Sequence, residues 1–104
     1  MIALLSLSSK VAKTLLGARE FALCDQVLGE GAEHAETIRM STTLTAVAAE
    51  SLALHCALRM RYSVQAGKPE IAAFVRSQAD ELVGKFDDRQ VSRLVPQDDV
   101  DVAS

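Results

Sequence analysis

Tryptophan is absent from this 104-residue chain, and Phe21, Phe74, Phe86 and Tyr62 are its only aromatic residues. A core so poor in large rings must be built from aliphatic and small side chains. Two prolines and five glycines leave few places where the backbone is forced to turn. Cys24 and Cys56 form no CxxC or zinc-type spacing, which excludes a disulfide framework and a zinc knuckle. Both are expected to be reduced, buried packing residues in a cytoplasmic protein. No stretch approaches the ~20 apolar residues of a membrane span, so no membrane partner is expected. The opening "MIALLSL" has no basic region before it and no small-residue cleavage site after it, so it does not read as a signal peptide.

Charge of one sign is also missing from most of the chain. The net charge is −3. Residues 1–86 hold nine basic and nine acidic side chains, while residues 87–104 set Arg89 and Arg93 against Asp87, Asp88, Asp98, Asp99 and Asp101. A neutral body with an acidic tail has no long-range pull on phosphates, which disfavours a nucleic-acid partner. A near-neutral surface resists association poorly, which favours self-assembly.

What is present is alanine, at sixteen positions, within a composition that is 49% hydrophobic and 24% charged. Those totals are ordinary for a folded domain, and alanine favours helix over strand. The clearest helix covers 69–86, where Ile71, Phe74, Val75, Ala79, Leu82, Val83 and Phe86 recur at helical spacing. Pro69 suits its first position and Glu70 its positive end. Residues 32–66 contain neither Gly nor Pro, and the stripe Ile38, Leu44, Val47, Leu54, Leu58, Tyr62 predicts one long helix. Its weak place is "STTLT" at 41–45, whose hydroxyls favour caps. Gly67 reads as a left-handed cap after it.

An earlier helix is expected from about Ser8 to Leu28, apolar over so wide an arc that it should be sandwiched between partners. Gly17 would bend it and "GEG" at 29–31 would end it. After Phe86, "DDRQVSRLV" suggests a short turn docked through Val91, Leu94 and Val95, and the residues beyond it a frayed acidic tail. The expected fold is therefore all-α: a three- or four-helix bundle with one long central helix. Residues 1–95 form one helical domain and 96–104 a flexible acidic tail. A weak internal echo, "VLGEGAEHAETIR" against "VQAGKPEIAAFVR", lies at a spacing near that of helical-hairpin repeats.

The densest polar cluster is "GEGAEHAETIRM" at 29–40. If Gly31 precedes a helix, Glu33 and Glu36 complement that helix's positive end, and Glu36 pairs with Arg39. A di-iron bundle requires Glu-x-x-His, whereas Glu33 directly precedes His34. Glu30, Glu33 and Glu36 resemble the carboxylate cluster of all-α nucleotide pyrophosphatases of the MazG type, which hold magnesium between Glu clusters on facing helices. That resemblance implies a metal site at Glu30, Glu33, Glu36 and Glu50, but a second cluster is missing: Glu50 stands alone and Asp80 and Glu81 are adjacent.

His34 and His55 lie three heptads apart, too far to share a ligand on one helix. His34 reads as exposed near a helix start, and His55 as half-buried between Leu54 and Cys56. Cys56 beside His55 lacks an orienting third group. Arg59 and Arg61 in "RMRY" read as a solvated helix edge, and "GEG" lacks the lysine and preceding strand of a phosphate loop.

No catalytic residue, cofactor or metal is therefore expected. The reading that fits is a non-catalytic regulator, adaptor or chaperone-like subunit, self-associating as a homodimer or bound to a protein partner. Its interface is expected at Leu15, Phe21, Leu44, Val47, Leu54, Leu58 and Tyr62.

Overall fold

In a computed structural model, which describes residues 2–40 and 45–85, four helices follow one another: α1 Ile2–Gly17, α2 Phe21–Arg39, α3 Ala46–Gln65 and α4 Pro69–Lys85. Their radius of gyration is 12.6 Å, close to the ~13 Å of a folded chain of about 100 residues. The all-α expectation holds, and the four helices pack side by side as two hairpins. Phe86, the docked turn and the acidic tail lie outside the described residues, as does Leu44.

Two expected helices are wrong in their extent. The segment from Ser8 to Leu28 is not one helix, because the chain turns at 18–20. Arg19 there has φ 58°, the left-handed conformation. Its N–H donates to Leu16 O at 3.1 Å, and the N–H of Glu20 donates to Leu15 O at 2.9 Å. This is a Schellman cap, which satisfies carbonyls that a helix end leaves open. The same cap closes α3. Gly67, φ 74°, donates to Val64 O at 3.2 Å, and Lys68 to Ser63 O at 2.7 Å. Gly67 was legible because glycine usually fills that position. Arg19 was hidden because arginine rarely does.

The segment 32–66 is likewise two helices. α2 ends at Arg39, with Met40 as its C-cap. α3 opens after Thr45, whose hydroxyl accepts from the Ala48 N–H at 3.2 Å. The last residue of "STTLT" is thus an N-cap, a contribution of about 1 kcal/mol. "GEG" corrects in the opposite sense: Gly29, Glu30 and Gly31 all lie inside α2. The echo with "VQAGKP" therefore matches mid-helix to turn and is no structural repeat.

α3, 20 residues long, packs against each of the other three helices. Its buried set includes Ala48, Ala49, Ala53 and Ala57, so backbones approach closely on several sides. Leu5, Ile38, Leu52, Met60, Val75, Ala79 and Leu82 form the main core with the first three of these alanines. A second cluster beside the two turns joins Ala12, Leu16, Cys24, Leu28, Leu58 and Tyr62. Phe74, expected in the core, is 57% exposed at the edge of α4's apolar face. No helix among the described residues is long and apolar enough to cross a membrane.

Candidate functional site

The carboxylates of "GEGAEHAETIRM" sit in the middle and far end of α2, so helix-start electrostatics do not explain them. Glu30, Glu33 and Glu36 are exposed along α2, and Glu50 is half-buried on α3. Among the described residues no three His, Cys, Asp or Glu side chains converge as a metal cluster would. Glu36 instead binds Arg39 at 3.0 Å, the expected i, i+3 pair. Arg39 also reaches Glu81 on α4 at 3.8 Å, and Glu81 accepts Lys85 at 3.3 Å. These four side chains neutralise one another across the α2–α4 gap.

Gly31 has a different role from the break expected of it. It is buried, and a Cβ built there would stand 3.1 Å from Cε1 and 3.2 Å from Nδ1 of His55. The missing side chain gives the imidazole its place against α2. His55 is only 3% exposed, more buried than the sequence suggested, and neither ring nitrogen has a hydrogen-bond partner among the described residues. Burial, helped by the Arg59 charge, lowers its pKa to about 4. Burial also pushes the Cys56 thiol up to about 11, against the opposing pull of Arg39 and Arg59. Both side chains are uncharged at neutral pH, so Cys56 offers no thiolate for catalysis. His34 is half-buried on α2.

A cavity of about 110 Å³ opens between α2, α3 and α4 beside this pair, with Ala35, Leu52 and Leu82 as apolar wall and Arg39, Arg59 and Gln78 as polar wall. A neighbouring hollow of about 120 Å³ lies between Asp25, Arg59, Tyr62 and Ile71, so Arg59 faces both. Sequence reading placed Arg59 on a solvated edge. Nothing in one helix's periodicity signals that α2 and α4 stand apart over α3.

The expected interface residues divide. Leu58 and Tyr62 are buried, and Leu15 and Phe21 pack against the same cluster, where the Phe21 and Tyr62 rings meet edge to face at 6.2 Å. These four serve the chain's own core. Val47 and Leu54 remain on the surface of α3. An exposed apolar row that the expected interface did not include lies on α1: Leu4, Leu7 and Val11 at i, i+3, i+7 are 50%, 59% and 41% exposed. Sequence reading began the first helix at about Ser8, which left Leu4 and Leu7 outside it. Its spacing was visible, but which of α1's two apolar sides α3 would cover was not.

Comparison with protein-family models, with curated proteins and with solved structures returned no match.

Proposed function

We propose that the chain is a non-catalytic interaction module that pairs with a second copy of itself through the outer face of the α1–α2 hairpin. The observation that carries this reading is the row Leu4, Leu7 and Val11. The hairpin turns at Arg19, so Val11 lies level with Val27 and Leu15 with Leu23. Leu23 is 50% exposed and Val27 partly buried, which widens the row onto α2.

Charge supports a second copy as the occupant. α1 carries Lys10 and Lys13 and no acid, while α2 carries Asp25, Glu30, Glu33 and Glu36 against Arg39. A two-fold pairing that lays α1 of one copy on α2 of the other matches basic helix to acidic helix and apolar row to apolar row. The metal-enzyme alternative lacks an observation in its favour, since its carboxylates are spread over α2 and α3.

Light scattering on the purified chain tests the reading. A dimer is expected that Leu7→Glu converts to a monomer of unchanged helix content, while Leu54→Glu on α3 leaves it intact. A wild-type monomer that binds no apolar-patch dye refutes it. A rise in melting temperature with Mg²⁺ or Mn²⁺ would instead revive the metal reading.

A further inference from the structure

The cavity between α2, α3 and α4 has a chemistry of its own, independent of the outer face of α1. Its charges settle its preference. Arg39, Glu36, Glu81 and Lys85 form a self-neutralised chain of ion pairs at 3.0, 3.8 and 3.3 Å. His55 and Cys56 are uncharged at neutral pH. That leaves Arg59, which has no carboxylate within ion-pair distance among the described residues and faces both hollows. Asp25 shares the second hollow with Arg59 but makes no ion pair with it among the described residues, and Glu36 in the first cavity is already paired with Arg39.

We propose that this cavity binds a short-chain monocarboxylate, with the carboxylate on the Arg59 guanidinium and the alkyl chain against Ala35, Leu52 and Leu82. The guanidinium fork matches two carboxylate oxygens in one plane, and a single uncompensated cation suits a monoanion. Phosphate is a poorer match. All three walls are helix interiors, whose backbone N–H groups are already bonded, so none is free to cradle extra oxygens. Glu36 at the rim further penalises a dianion. Size sets the length: a 150 Å³ apolar cavity holds benzene, so about 110 Å³ accommodates roughly four or five heavy atoms, an acid of two or three carbons.

The test is a titration of the full chain with sodium acetate and propionate, read by melting temperature and by NMR shifts of the Arg59 guanidinium and Leu52 and Leu82 methyl signals. Sodium chloride at matched ionic strength is the blank, and propionamide is the uncharged isostere. Saturable shifts at those signals are expected with both acids, at least about tenfold weaker binding with propionamide, and no saturable response to inorganic phosphate. Arg59→Gln should lose the response and Arg59→Lys should weaken it about tenfold, because lysine lacks the fork. Lys85→Gln, at the exposed end of the ion-pair chain, should retain it. The proposal is overturned if propionate gives no saturable shift, if propionamide or phosphate matches it, or if a folded Arg59→Gln binds unchanged. Should Arg59→Gln fail to fold, the propionate–propionamide comparison on the wild type decides alone.

Discussion

The two hairpin turns of this chain are built alike but carry different residues at the decisive position, which makes them a controlled comparison. Arg19 and Gly67 occupy the same site of two Schellman caps, with φ 58° and 74°. The left-handed conformation costs an L-residue roughly 1–2 kcal/mol, from which glycine is exempt. Glycine also loosens the unfolded chain, which returns about 0.4–1 kcal/mol of that gain. Arg19→Gly should therefore stabilise the fold by about 0.5–1 kcal/mol. Arg19 is exposed, and its side chain makes no hydrogen bond or ion pair among the described residues. The reverse exchange, Gly67→Ala, meets no steric neighbour within 4 Å, so its cost is the backbone strain alone. It should destabilise by about 1 kcal/mol. For a domain of about 100 residues each kcal/mol moves Tm by about 4–8 °C, so circular dichroism melts should separate the two variants by roughly 6 °C or more. If Arg19→Gly melts at or below the wild type while Gly67→Ala is neutral, the left-handed conformation is not what sets these turns and the reasoning fails.

Further outcomes follow from the interior. Gly29→Ala, exposed in mid-α2 with nothing within 4 Å, should gain up to about 1 kcal/mol of helix propensity; Gly31→Ala should fall short of it by 1 kcal/mol or so in urea denaturation, because its Cβ crowds the His55 ring. In a His55→Ala background the two glycine substitutions should become equivalent, and persistence of the difference would show that the imidazole is not its cause. The pH dependence has a definite sign. His55 titrates near 4 folded and about 6.5 unfolded, so between those values the unfolded state binds the extra proton and stability falls as pH is lowered. The loss from pH 7 to pH 4 amounts to at most about 3 kcal/mol, measured as the wild-type slope minus that of His55→Gln; parallel slopes would refute it.

Much of the helical content was legible in the sequence, and the places where it was not share a physical cause. α4 announced itself because only one side of it is buried, so Val75, Ala79 and Leu82 stand out against a polar background. Pro69 and Gly67 marked its start because those residues have few other roles at such positions. α3 is buried on several sides, so its apolar residues fill most of its circumference and its period is blurred. Two residues of the expected interface were ambiguous on the same ground: Leu58 and Tyr62 are buried with the core cluster of α1 and α2, and a stripe cannot say who covers it. Arg19 shows a different limit. A turn held by tertiary packing of two helices tolerates a residue that local preference disfavours.

The candidate site was unreadable for a further reason, which Gly31 and His55 make concrete. Alone, a glycine between polar residues signals a break, and a histidine between a leucine and a cysteine signals an amphipathic edge. Each inference was sound locally and each was wrong. The glycine sits mid-helix at a propensity cost of about 1 kcal/mol, and the imidazole is buried with no hydrogen-bond partner for either nitrogen among the described residues. One contact accounts for the glycine and for the burial of the ring, since the missing Cβ at 31 makes room for the imidazole at 55. The pairing links α2 to α3 beside the cavity that Arg59 faces. A region where two separate preferences are violated together, next to an arginine with no carboxylate in ion-pair distance among the described residues, is where function is to be sought in this chain.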